Sequence, residues 1–213
     1  MTGIARKALT EALGTFLFVI SIIGAVNSGS PLTPLAIGLA LAVLVYSTGH
    51  ISGGHLNPAV SVGVFLRGGM SVTDLVVYIV AQLVGGALAA LVSLALWPVA
   101  ESATEIEVGP AFLVEALFTF VLVWVVLNVA TSKDNDGNSF YGLAIGGAVF
   151  VGATTVGAIS GGGFNPAVAL GLSISGQFAW SNLWLYVLAP IVGAALAAVM
   201  FRVLKADDST KVA

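Results

Sequence analysis

Two segments of the chain nearly repeat each other: SGGHLNPAVSVG from Ser52 to Gly63, and SGGGFNPAVALG from Ser160 to Gly171. Their Asn residues, numbers 57 and 165, lie 108 positions apart. Asn is favoured as a helix N-cap and Pro as the first helical residue. The apolar stretch that follows each Pro is about ten residues long, too short to cross a bilayer. We therefore predict two half-helices, which begin at Asn57 and Asn165.

The composition around these segments indicates a membrane protein. Of the 213 residues, 58% are hydrophobic and 8% are charged, whereas a soluble domain is about one-quarter charged. Continuous apolar runs are more typical of helices than of lipid-facing strands. The predicted fold is an all-α membrane protein with six transmembrane helices and two re-entrant half-helices. The six spans are expected at 8–26, 34–51, 73–97, 110–131, 140–159 and 181–204.

An internal duplication organises the chain. EALGTF from Glu11 matches EALFTF from Glu115, and LVGGALAA from Leu83 matches IVGAALAA from Ile191. We therefore expect one transmembrane domain over residues 1–213, built from repeats at approximately 5–100 and 109–206. Each repeat contains an odd number of spans, so the second is inverted relative to the first. Inverted repeats place the functional site near the midplane of the membrane.

The basic residues predict the orientation. If the N-terminus is cytoplasmic, all seven lie on the cytoplasmic side: Arg6, Lys7, Arg67, Lys133, Arg202, Lys205 and Lys211. The loops on the other side contain Glu101, Glu105 and Glu107 instead. Under the positive-inside rule this asymmetry predicts a multi-pass protein with both termini in the cytoplasm. We expect it in the plasma membrane, and the short chain suits a prokaryotic cell.

The half-helices enter from opposite faces, so their N-termini are expected to meet near the membrane centre. Irregular backbone at that depth is stable only where it lines a cavity or packs in protein. Glycine permits the tight re-entrant path, and the carbonyl groups exposed there can accept hydrogen bonds. The glycines expected to line a pore are Gly53, Gly54, Gly161, Gly162 and Gly163.

Together these blocks resemble the aquaporin and glycerol-facilitator family (major intrinsic proteins) over essentially the whole chain. The resemblance implies an hourglass-shaped pore in each subunit of a homotetramer, with water or small neutral solutes passing by diffusion. The implied pore motifs are Asn57, Pro58, Ala59, Asn165, Pro166 and Ala167. Each half-helix N-terminus carries roughly +0.5 elementary charge, so two of them at the pore centre repel cations.

The selectivity filter departs from this family. Most members carry Arg directly after the second NPA, where this chain has Val168. Alignment of the NPA blocks places Ile37, Ala153 and Gly162 at the other three filter positions. These four side chains carry neither a charge nor a hydrogen-bond donor, so we expect a wide, apolar constriction. It would pass water and also ammonia, urea, polyols or uncharged metalloid hydroxides.

Three further polar residues are expected to have roles at the pore. In the family, the glutamates that match Glu11 and Glu115 accept hydrogen bonds from the re-entrant backbone, which implies a scaffolding role. His55 matches a pore-lining position, although a simply packed histidine is an alternative. No nucleophile–base pair, metal cluster or nucleotide motif is apparent and Cys is absent, so we expect no enzyme, cofactor, metal or nucleic-acid partner.

Two alternatives to a passive channel remain open at this point. Inverted repeats also occur in secondary transporters, and a proton-coupled transporter would use Glu11 or Glu115. A structural membrane protein with a closed pore is the other alternative. A flux that depends on a proton gradient would indicate the transporter, and an unchanged swelling rate would indicate the closed pore.

Overall fold

The computed structural model describes residues 3–205, most of which are helical and none of which forms a β-strand. Six helices are long and apolar enough to span a membrane, and two shorter helices lie between them. This architecture confirms the predicted fold class. The elements are α1 (Gly3–Asn27), α2 (Thr33–Ser52), α3 (Pro58–Arg67), α4 (Val72–Ser93), α5 (Val108–Val126), α6 (Tyr141–Ser160), α7 (Pro166–Ile174) and α8 (Leu183–Leu204). Lys211 and the end of the second repeat at 206 lie outside the described residues.

Two helix ends differ from the apolar runs. The run at 73–97 predicted a span that is too long, because α4 ends at Ser93 and residues 94–97 form turns. Pro98 disfavours helical backbone at the residue before it. The α-helical part of α5 ends at Val126, and the helix continues as a π-helix over Leu127–Thr131. Hydrophobicity reports where the chain is apolar, not which helical hydrogen-bond pattern it adopts.

Small residues allow the long helices to approach closely. Helix α1 packs on α4, α5 packs on α8, and α2 packs on α6. A Cβ built on Gly38 of α2 would lie 2.7 Å from the carbonyl oxygen of Gly146 in α6. Close backbone approach at small residues is the usual basis of helix association in membranes.

The two half-helices each pack against the opposite half of the chain. Helix α3 contacts α8, and α7 contacts α4. Both begin as predicted: the Asn57 side chain accepts a hydrogen bond from the amide of Ala59 at 2.8 Å, and Asn165 accepts one from Ala167 at 2.9 Å. Each Asn is therefore an N-cap, and the half-helices connect the two halves of the bundle.

Candidate functional site

Glu11 anchors the first re-entrant segment from inside the bundle. Its carboxylate is fully buried and accepts hydrogen bonds from the backbone amides of His55 and Leu56, at 3.0 and 2.7 Å. The hydroxyl of Ser52 and the side-chain amide of Gln82 also donate to it, at 2.6 and 2.8 Å. A buried carboxylate is stable when donors surround it in this way.

Glu115 anchors the second segment in the same manner. It is fully buried and accepts hydrogen bonds from the amides of Gly163 and Phe164, at 2.8 and 2.6 Å. The Ser160 hydroxyl donates a third bond at 2.7 Å. Both glutamates therefore hold re-entrant backbone, which is the contact that the family resemblance implied for them.

The two segments are also joined directly where the half-helices begin. The amide nitrogen of the Asn57 side chain donates to the Phe164 carbonyl, and that of Asn165 donates to the Leu56 carbonyl, both at 2.9 Å. Leu56 and Phe164 adopt φ angles of 49° and 46°, a region uncommon for residues other than glycine. We call this pair of reciprocal bonds the asparagine bridge. It holds the N-termini of α3 and α7 together in the interior of the bundle.

A cavity of about 380 Å³ lies beside the asparagine bridge. Its lining includes most of the residues that the sequence nominated: Ile37, Gly53, Gly54, His55, Asn57, Ala153, Gly161, Gly162, Gly163, Asn165 and Val168. The remaining motif residues, Pro58, Ala59, Pro166 and Ala167, are buried in helix packing and are not part of the lining. In the NPA motifs, Asn therefore faces the cavity, while Pro and Ala support the half-helices.

His55 both faces the cavity and is packed. One ring nitrogen, Nδ1, lies 3.0 Å from the Ser61 hydroxyl, and the ring meets that of Tyr78 edge-on with centroids 5.2 Å apart. The two alternatives that the sequence left open for this histidine, a pore-lining residue and a simply packed one, are therefore compatible.

Sequence reasoning missed the apolar wall of the cavity. This wall includes Phe18, Ile22, Val26, Leu41, Val60, Leu122, Val126, Ile145, Val149 and Leu172. The repeat offsets could have identified most of it: Val60 and Leu41 lie 108 positions before Val168 and Val149, and Phe18 lies 104 before Leu122. The lining also includes Ala100, Ser102, Thr104, Gln177 and Phe178, which lie outside the helices. No motif pointed to those five.

Two half-helices meet end to end inside a six-helix bundle, beside a cavity lined by apolar side chains and glycine backbone. This arrangement defines a helical membrane channel. Residues 2–201 match the family model described as major intrinsic protein. The chain belongs to the major intrinsic protein family, whose members are channels for water and small solutes.

Individual relatives agree with this assignment. The chain is 40% identical to "Glycerol uptake facilitator protein-like 6" of Lactiplantibacillus plantarum, over 95% of this chain and 100% of that protein. It is 35% identical to "Aquaporin NIP2-1" of Oryza sativa subsp. japonica, over 97% of this chain and 72% of that one. The X-ray structure of the aquaglyceroporin from Plasmodium falciparum matches with a TM-score of 0.80 and 26% identity, covering 93% of this chain and 95% of that one.

Proposed function

We propose that the protein is a passive channel with a wide, apolar filter that passes water and small uncharged solutes such as ammonia, urea, polyols or metalloid hydroxides. One observation carries the proposal: Val168 is buried directly after the second NPA and lines the cavity with Ile37, Ala153 and Gly162. None of these side chains bears a charge or a donor. The name of the glycerol-facilitator relative is consistent with solutes larger than water.

Electrostatics at the asparagine bridge support the exclusion of cations. The N-termini of α3 and α7 meet there, and each carries roughly half a positive charge. A side-chain amide has two N–H donors, and the bridge uses one on each Asn. The second N–H of Asn57 and of Asn165 can donate to the oxygen of a passing solute. We propose these two amides as the polar contacts at the centre of the pore.

The buried glutamates argue against the transporter alternative. A proton-coupled mechanism needs a carboxylate that exchanges protons with the pathway, but Glu11 and Glu115 are fully buried and each accepts at least three hydrogen bonds. Neither lies among the residues that line the cavity. We therefore propose scaffolding rather than proton transfer for both, and no enzymatic activity for the chain.

We further propose inverted repeats, a homotetramer and a plasma-membrane location with both termini in the cytoplasm. The repeats are supported by the matched anchoring of the two re-entrant segments, by Glu11 in one and by Glu115 in the other. Large apolar side chains are exposed along the long helices, for example Leu13 and Leu117, which suits contact with lipid or with a second subunit. The clustering of basic residues supports the orientation.

Stopped-flow light scattering on proteoliposomes tests the proposal. Water, glycerol, urea and ammonia are compared with protein-free vesicles of the same lipid, with and without an imposed proton gradient. We expect accelerated flux of water and of at least one larger solute, with no response of glycerol or urea flux to the gradient. Strict water selectivity would contradict the wide filter, and glycerol or urea flux that depends on the gradient would favour the transporter.

A further inference from the structure

Phe178 follows half-helix α7 and packs against the second re-entrant segment. Its ring is stacked on that of Tyr186, with centroids 4.3 Å apart and planes 21° apart, and only 4% of the residue is exposed. A Cβ built on Gly161 would lie 2.6 Å from Cε1 of this ring, and one built on Gly163 would lie 3.4 Å from Cε2. The ring therefore fills the space between Tyr186 and the two glycines that flank Gly162.

The first half of the chain fills the matching space with a different residue. Tyr78 and Gly53 lie 108 positions before Tyr186 and Gly161. The hydroxyls of Tyr78 and Tyr186 donate to the carbonyls of Ser52 and Ser160, at 2.6 and 2.5 Å. In each half, therefore, the space is bounded by a tyrosine, whose hydroxyl bonds to a serine carbonyl, and by a glycine.

The aromatic ring that fills this space comes from a different position in each of the two repeats. In the first half it is the imidazole of His55, which lies against Tyr78, with Nε2 3.2 Å from a Cβ built on Gly53. The residue that matches His55 is Gly163, which has no side chain to offer. The residue that matches Phe178 is Met70, which is half-buried and does not line the cavity. Phe178 therefore fills in the second half the space that His55 fills in the first half.

We infer that Phe178 is a specificity-determining residue, whose ring forms the pore wall beside Gly162 and sets the largest solute that passes. The inference rests on the proposed channel function. It is carried by the position of the ring, which lines the cavity and contacts the glycines on both sides of this filter position.

The hydrogen bonds around Phe178 indicate how removal of its ring should change the cavity. The Glu115 carboxylate accepts hydrogen bonds from the amides of Gly163 and Phe164, and the Tyr186 hydroxyl donates one to the carbonyl of Ser160. None of these bonds uses the side chain of Phe178. Removal of the ring should therefore leave the re-entrant backbone anchored and enlarge the cavity, because a void that the surroundings cannot close remains open.

The first test compares permeability ratios in proteoliposomes of the wild type, Phe178→Ala and the matched control Met70→Ala. Water, glycerol and a five-carbon polyol are measured in each. We expect the polyol-to-water ratio to rise about threefold or more in Phe178→Ala, since pore diameter sets selectivity. It should stay near the wild-type value in Met70→Ala and in Phe178→Met, which keeps most of the side-chain volume.

The controls separate this inference from the proposed function. A wild-type protein without flux above protein-free vesicles would refute the channel itself. Wild-type flux together with an unchanged ratio in Phe178→Ala would overturn the inference alone. An equal loss of all fluxes in that variant would also overturn it, because it would indicate a merely structural role.

A second variant keeps the test decisive if Phe178→Ala does not fold. The chain contains no Cys, so Phe178→Cys introduces the sole thiol, and Met70→Cys is its matched control. Treatment of the folded variants with benzyl methanethiosulfonate, an uncharged reagent, should block polyol and water flux through Phe178→Cys and leave Met70→Cys unaffected. Complete labelling of Phe178→Cys without loss of flux would overturn the inference, as would a thiol that the reagent cannot reach.

Discussion

Asn57 donates a hydrogen bond from its side-chain amide to the carbonyl oxygen of Phe164, 2.9 Å away in the opposite half of the chain. The oxygen of the same amide accepts from the backbone of Ala59 and caps α3. One side chain thus positions its own half-helix and joins it to the segment that leads into the other. Because Asn165 makes the reciprocal pair of bonds, the positions of the two half-helices depend on each other.

Asn57→Asp separates these two functions. Aspartate keeps an oxygen that can cap α3, but it has no donor for the Phe164 carbonyl and adds a negative charge between the half-helix N-termini. A buried acceptor left unsatisfied costs about 1–3 kcal/mol, so we expect a lower thermal unfolding midpoint in detergent. The charge opposes the positive helix ends, so we also expect faster proton entry into vesicles, followed with a pH-sensitive dye.

Asn27→Asp is the control for this substitution, because it makes the same chemical change at the exposed end of α1. It removes a bond from the Asn27 side chain to the Ile23 carbonyl of the same helix, so the midpoint should fall less than in Asn57→Asp, and the proton flux should stay near the wild-type value. Equal proton flux in Asn57→Asp and the wild type would show that the asparagine bridge does not contribute to cation exclusion.

Local signals predicted the half-helices and the spans. Asn57 and Pro58 are a capping residue followed by a favoured first helical residue, and this pattern depends on nearby backbone only. Hydrophobicity located the six spans because a bilayer requires long apolar helices. Where the end of a span depended on hydrogen bonding, as at Ser93, the apolar run continued past the helix.

Contacts between distant segments were not predictable in this way. The repeat offset relates Phe178 to Met70 and Gly163 to His55, and neither pair suggests that Phe178 fills the space next to Gly161. That contact depends on how the chain turns after α7, where the amides of Gln177 and Phe178 both bond to the carbonyl of Leu172. A turn of this kind has no hydrophobic period and no repeat to indicate it.

Glu115→Gln tests the scaffolding role. The carboxylate accepts three hydrogen bonds, whereas the amide has one acceptor oxygen and places an NH₂ group against donors. We expect a loss of about 2 kcal/mol or more in the free energy of unfolding, since bonds to a charged group are worth about 1.5–3 kcal/mol each. Thermal unfolding in detergent measures the loss. Glu105→Gln, at an exposed position, should change little, and equal stability of the two variants would contradict the role.

Val168→Arg tests the filter. Val168 is 1% exposed and lines the cavity, so a long cationic side chain there should narrow the constriction and present donors to it. We expect glycerol and urea fluxes to fall more than water flux in stopped-flow measurements. Val168→Leu adds volume without charge and separates the two effects. Unchanged glycerol and urea fluxes in a folded Val168→Arg protein would show that position 168 does not limit passage.

Gly38→Ala tests whether helix packing depends on the small residues. A Cβ at Gly38 would lie 2.6 Å from Cβ of Phe150 and 2.7 Å from the Gly146 carbonyl, so α2 and α6 would have to separate. Overpacking of this kind costs about 1–3 kcal/mol, and the unfolding midpoint in detergent should fall. Gly147→Ala, also in α6, is the matched control, because no described atom beyond its adjacent residues and the local helix backbone lies within 4 Å of its built Cβ.

The two alanine variants should differ in their unfolding midpoints: Gly38→Ala should lower the midpoint, and Gly147→Ala should not. Alanine is favoured over glycine inside a helix by about 1 kcal/mol, so Gly147→Ala should be neutral or slightly more stable than the wild type. At Gly38 the same preference is outweighed by the clash with the Gly146 carbonyl. If both variants were stabilised, helix propensity would outweigh packing at the α2–α6 contact. A lower midpoint in Gly38→Ala alone would show that Gly38 is needed for the close approach of these two helices, which carry Ile37 and Ala153 of the cavity lining.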